Sequence, residues 1–341
     1  MNNPDLDTVT LEATRPAKPF KDRYVGLVIF GILTMLLGGL ISLFIPMMLF
    51  GLAAAAKTTH ETMPLATLLP GMSLYGVLAV ALVWLGIGSI MARRWARALL
   101  LIFSWCWLVV GVLTTVAMAV ILPKILSEQF AGAGLKDAQG HPVAVPVGAV
   151  VTGMLMFFGV VFVLLPAVWT LFYQSRHVKA TCERRNPVVC WTDTCPLPVL
   201  GFSLWLACSV PMLILMPLIG HGVFPFFGCF LQGIPGSLLW LLVAGLWAYA
   251  AWLLYHLDAR GWWLILIGFI GFSVSSIVTY GRHDLMEVYQ LMGYPQTQID
   301  QMQKLGFLTG HNMQWLMGLC LLPMVLYLLG IKRFMRSGRE T

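Results

Sequence analysis

Residues 24–56 read YVGLVIFGILTMLLGGLISLFIPMMLFGLAAAA, a run of thirty-three positions without a charged side chain. About 20 mostly apolar residues are enough to cross a hydrocarbon core of roughly 30 Å. This run therefore spans a bilayer with length to spare, and the surplus has to tilt, bend or emerge. Pro46 marks the bend, because proline removes a backbone donor and clashes with the preceding turn.

Similar runs recur to the end of the chain. The reading gives eight spans: Val25–Leu49, Met72–Met91, Ala98–Leu122, Val147–Tyr173, Leu197–Ile219, Gly236–Tyr255, Trp262–Tyr280 and Met313–Ile331. Composition agrees, with 59% of the 341 residues hydrophobic and 10% charged, against about 25% charged in an ordinary soluble domain. No interval is left for a separate soluble domain, so the fold class is an all-α polytopic membrane protein. Residues 1–23 are polar, contain Pro4, Pro16 and Pro19, and end in basic side chains. They lack the basic start and apolar core of a signal peptide, and a disordered cytoplasmic tail is expected there.

Basic residues set the orientation, since short cytoplasmic loops retain Lys and Arg. With the N-terminus inside, 16 of the 21 fall inside: Arg15, Lys18, Lys21, Arg23, Arg93, Arg94, Arg97, Arg176, Lys179, Arg184, Arg185, Arg260, Lys332, Arg333, Arg336 and Arg339. Outside fall Lys57, Lys124, Lys136, Arg282 and Lys304. The formal charge of +7 thus reflects topology and anionic lipid headgroups, and there is no basic domain for a nucleic acid. The expected location is the plasma (inner) membrane, with both termini cytoplasmic.

Landmarks recur in one order along the chain. Pro46 pairs with Pro217, Pro70-Gly71 with Pro235-Gly236, Trp84 with Trp247, Ala96-Arg97 with Ala259-Arg260, and Leu164-Leu165-Pro166 with Leu321-Leu322-Pro323. Two tandem four-helix repeats follow, parallel because each crosses an even number of times, with a pseudo-two-fold axis along the membrane normal. The expected division is a tail at 1–23, a first repeat at 24–175, a linker at 176–196, a second repeat at 197–331 and a basic tail at 332–341. Each repeat also has an outer segment, within 123–146 and 282–312. Both read as amphipathic surface helices, with Leu285, Val288, Tyr289 and Met292 on one face of the second.

Chemistry-bearing residues are sparse. No Asp, Glu, Lys or Arg lies in the middle of a span; such residues are the usual marks of ion coupling or intramembrane proteolysis. Gly271, Ser275 and Thr279 recur every fourth residue in the seventh span, as a close helix contact or a hydrophilic path. His60-Glu61 and His283-Asp284 pair imidazole with carboxylate near the outer face, a donor set suited to zinc or copper. The linker offers His177, Cys182, Cys190 and Cys195 in an H-x4-C-x7-C-x4-C pattern, without the C-x2-C knuckle of structural zinc sites. A structural linker is the stronger reading, so no metal or other cofactor is expected. No nucleotide loop, haem-attachment motif or nucleophile elbow occurs, and no family signature is legible.

The function expected from these residues is that of a non-catalytic accessory or interaction subunit of a membrane assembly, with lipids and other membrane proteins as partners. The alternative is a passive transporter of lipid or small solutes, with its path between the repeats. A membrane enzyme working through surface residues is the least favoured reading.

Overall fold

The computed structural model describes residues 20–59, 65–133, 147–294, 296, 299–300 and 310–337. Across these the chain is helix after helix: α1 (Tyr24–Ser42), α2 (Phe44–Thr59), α3 (Leu65–Ile90), α4 (Arg94–Ala133) and α5 (Val147–Gly159). A π-helical segment (Val160–Leu164) joins α5 to α6 (Leu165–Gln174), and α7 (Arg176–Arg185) and a 3₁₀ turn (Trp191–Asp193) form the linker. Then come α8 (Leu197–Ile219), a hairpin of β1 (Phe224–Phe226) and β2 (Cys229–Leu231), α9 (Gly233–Tyr255), α10 (Ala259–Tyr280), α11 (Leu285–Leu291) and α12 (Gly310–Ser337).

Seven helical stretches among the described residues are long and apolar enough to cross a membrane: Tyr24–Gly51, Gly71–Ile90, Arg94–Ser127, Val147–Gln174, Leu197–Ile219, Gly233–Tyr255 and Ala259–Tyr280. They coincide with the first seven expected spans, and the stretch expected to form the eighth lies inside α12. Large apolar side chains such as Leu36, Val80, Leu113 and Leu171 are exposed, as suits helices solvated by lipid tails rather than water. The break at Leu43 falls between α1 and α2, just before Pro46. There Leu43 N–H turns back to the carbonyl of Leu40, and Pro46 offers no N–H to the carbonyl of Ser42.

Two expectations change and one is met in part. The described part of the first outer segment, up to Ala133, is no separate surface helix, because α4 runs unbroken through Pro123 to Ala133; residues 134–146 lie outside the described residues. The second outer segment does contain a short helix, α11, whose Leu285 and Val288 pack with Val223. The β-hairpin between α8 and α9 is an addition to the all-α expectation. Its two-residue turn pairs Phe226 with Cys229.

Packing follows one order in both halves. α1 lies along α3, α3 meets α4, and α4 packs on α5, the π segment and α6; likewise α8 lies along α9, α9 meets α10, and α10 packs on α12. The first crossing is alike in detail. In one half Gly31 abuts Gly86, where an added Cβ on Gly31 would sit 2.8 Å from the Gly86 carbonyl oxygen. In the other, Ser203 Oγ donates to the carbonyl of Ala251 at 2.7 Å.

The turns from second to third helix also match. Arg93 N–H bonds back to Gly88 O at 2.9 Å and Asp258 N–H to Leu253 O at 3.0 Å, the backbone pattern of a Schellman C-cap. Ala92 and Leu257 hold the left-handed position at φ 51° and 58°. Gly88 packs on Ala96 in one turn and Leu253 on Gly261 in the other. Each pair places one member four residues before the left-handed residue and the other four after it. Trp84, however, precedes Ala92 by eight residues, whereas Trp247 precedes Leu257 by ten. The turns are therefore shifted by two positions from the Trp84–Trp247 and Ala96-Arg97–Ala259-Arg260 landmarks and in register with Pro70-Gly71 and Pro235-Gly236.

Each half has its own core. Leu27, Leu85, Leu100, Leu101, Trp169 and Tyr173 form the first with Val178 and Cys182 of α7. Val199, Leu200, Leu206, Leu254, Trp262, Ile265 and Leu328 form the second with Cys195. The halves touch where α4 meets the 3₁₀ turn and α8, with Ile102 against Gly201.

Candidate functional site

The densest set of polar interactions lies at the end of the molecule where the linker crosses both halves, and Arg94 is its centre. Arg94 opens α4 directly after the Ala92 turn, so its side chain projects toward the linker. Its Nε lies 3.2 Å from Asp193 Oδ2, Nη2 lies 3.6 Å from Glu183 Oε1, and Nη1 donates to the carbonyl of Pro187 at 3.5 Å. One guanidinium thus ties the first half to α7 and to the turn that leads into α8. Its planar fork suits this, since it can serve several acceptors at once. Asp193 is itself held in place, accepting the Cys190 N–H at 3.0 Å.

The segment before α1 joins the same cluster. Arg23 N–H donates to Thr181 Oγ1 at 3.0 Å, Arg185 meets Asp22 at 3.3 Å and stacks over the Tyr24 ring at 3.7 Å. From the second half, Tyr255 OH donates to the Trp191 carbonyl at 3.1 Å. The start of α1, both inner turns and the linker therefore share one end of the molecule.

The four linker residues considered as metal ligands are used separately. His177 Nδ1 accepts the Lys21 N–H at 3.3 Å. Cys182 belongs to the first core and Cys195 to the second, and burial pushes each thiol up to about 11. At neutral pH both stay protonated, whereas metal binding and nucleophilic attack require the thiolate. Cys190 Sγ points at the Val188 carbonyl, 3.7 Å away. Among the described residues no three His, Cys, Asp or Glu side chains gather as a metal group would.

At the opposite end, His283 binds Glu287 rather than its neighbour Asp284: Nδ1 is 2.9 Å from Glu287 Oε2 and Nε2 is 3.2 Å from the carbonyl of Gly228. Asp284 caps α11, accepting Leu285 N–H at 2.7 Å. His60 and Glu61 lie outside the described residues.

Two residues of the Gly271, Ser275, Thr279 stripe bind the β-hairpin. Ser275 Oγ donates to the Pro225 carbonyl at 2.9 Å and accepts Phe227 N–H at 2.9 Å. Thr279 Oγ1 accepts Gly228 N–H at 3.0 Å. Both hydroxyls hold the β-hairpin, while Gly271 has no atom of another element within 4 Å of where a Cβ would stand. Sequence reasoning missed the hairpin, and with it the partner of these hydroxyls. It also missed Arg94 as a hub, although Glu183 and Asp193 are the only acids in the 176–196 linker and could have been matched to the Arg93-Arg94 turn.

Comparison of the chain with protein-family models, with curated proteins and with solved structures returns no match.

Proposed function

We propose that this chain is a non-catalytic component of a membrane assembly, an accessory subunit that works through its surfaces. In this reading it is a pair of parallel four-helix repeats in the plasma (inner) membrane, with α12 as the eighth span and both termini cytoplasmic. The duplication is supported by the matched crossing at Gly31–Gly86 and Ser203–Ala251 and by the matched turns at Ala92 and Leu257. The orientation is supported by the 16-to-5 partition of basic residues.

The observation that carries the functional reading is how the polar groups within the helices are used. Ser89 Oγ donates to the Leu27 carbonyl and bonds Tyr173 OH. Trp169 Nε1 donates to Thr34 Oγ1, and Trp262 Nε1 to the Leu328 carbonyl. Each of these joins one helix to another and is not free to line a path, and among the described helix residues Ser276 Oγ of α10 is the buried hydroxyl left without a partner. A polar solute needs such a lining, because every unsatisfied polar group in hydrocarbon costs several kcal/mol.

Lipid passage between the halves is the second reading, since apolar substrates need no polar lining. Purification from native membrane in mild detergent, with mass spectrometry of what remains bound, tests the proposal. A protein partner in fixed stoichiometry is the expected outcome. A solitary chain that moves lipid or solute in reconstituted vesicles contradicts it.

A further inference from the structure

The hairpin between α8 and α9 lies on its side against α10, and its two strands sit at different depths. β2 is level with the end of α10, with Phe230 against the rings of Tyr280 and His283. β1 lies deeper. Phe224 packs edge-on against Phe272 and Trp240, and Pro225 and Phe227 bind Ser275. Ser275 precedes the last residue of α10 by five positions, about 7.5 Å along a helix rising 1.5 Å per residue. Because α10 is itself apolar enough to span, β1 lies alongside the buried part of a transmembrane helix.

Four polar groups of the strand edge and turn are taken up by α10 and the residues after it, the Gly228 carbonyl by His283 among them. Pro225 has no N–H, its carbonyl is taken by Ser275, and the two turn N–H groups of Phe227 and Gly228 are taken by Ser275 and Thr279. A turn in water leaves such groups to solvent; one in hydrocarbon has to satisfy them within the protein. The turn residues point the same way. Phe227 and Gly228 have φ of 40° and 102°, the sign pattern of a type I′ turn, in which the first position favours Asn, Asp or Gly. A phenylalanine there is strained and gains nothing from water. Phe226 and Phe227 are nonetheless 42% and 55% exposed, and on α10 Ile270 and Val274 are exposed as well.

We propose that the 224–231 hairpin is a re-entrant element whose first strand lies in the bilayer, with Phe226 and Phe227 packed against lipid acyl chains. Arg282, whose guanidinium lies against Gly228, then marks the headgroup level. The proposal rests on α10 spanning the membrane and is independent of the accessory role. The test is to place 4-benzoylphenylalanine at 226 or 227, reconstitute the chain in phospholipid vesicles, irradiate, and weigh the products. Adducts of phospholipid mass are expected. Adducts to a second polypeptide, or none, would overturn the assignment while leaving the accessory role standing.

Phe227→Asn provides a second readout through the sign of its effect. In a water-exposed turn, asparagine relieves the strain and raises the melting temperature. In the bilayer it places an amide in hydrocarbon, and a fall of several degrees in nanodiscs is expected; an unchanged or higher value would overturn the proposal.

Discussion

Arg94 shows how far one side chain can hold this molecule together. Its side chain is 16% exposed and that of Asp193 29%, so the pair is shielded from the screening that makes most surface ion pairs worth little. A double-mutant cycle with Arg94→Gln and Asp193→Asn should give a coupling of about 1 kcal/mol, read from unfolding in one fixed detergent. Zero coupling would mean that the Arg94–Asp193 pair adds nothing to the linker's other contacts. The ingredients of this cluster were visible in the sequence as charges, but the pairing was not. Arg94 and Asp193 are separated by two further spans, and no local periodicity reports which loops meet. For Ser275 and Thr279 the spacing was legible and the partner was not, since a three-residue strand carries too short a pattern to be told from a loop.

At the level of elements, hydrophobicity located the spans because length and apolar content are what the bilayer demands. It failed at the ends, where other forces decide. Pro123 was read as a boundary, yet α4 continues past it; the expected break at Pro46 is real because the chain turns there at Leu43. The fourth span contains a π segment just before Pro166, where the proline leaves the Phe162 carbonyl without its helical donor. That carbonyl is the group pressed on Gly111 of α4, a contact no pattern of apolar residues announces.

Helix contacts in lipid rest on such close approaches of small residues. Replacing Gly86 by Leu should therefore separate α1 from α3 and cost about 2 kcal/mol or more through overpacking. Gly153, with no atom of another element within 4 Å of a prospective Cβ, should accept Leu with no loss, or with the gain of a fraction of a kcal/mol expected from better helix propensity. Thermal unfolding of the two variants in the same lipid should differ in sign. A larger loss at Gly153 would contradict the packing described.

The molecule as a whole is two similar bundles joined at one end by a charged linker. The turns at Ala92 and Leu257 both reach that linker, the first through Arg94 and the second through Tyr255, so the two turns lie at the same end of the molecule, as the proposed parallel repeat requires. In the sequence the proposed repeat is carried only by a string of weak landmarks, whose spacing between the halves drifts from 171 residues at Pro46 and Pro217 to 157 at Leu164 and Leu321. The proposed topology follows: linker, inner turns and termini in the cytoplasm, hairpin and α11 on the other side. The most direct test is labelling of Arg93→Cys, Arg260→Cys and Arg282→Cys by a membrane-impermeant maleimide applied to vesicles of each orientation, with the modified peptide identified by mass spectrometry. The account predicts that positions 93 and 260 react only from the cytoplasmic side and position 282 only from the opposite side. Labelling of 93 and 260 from opposite sides would contradict it.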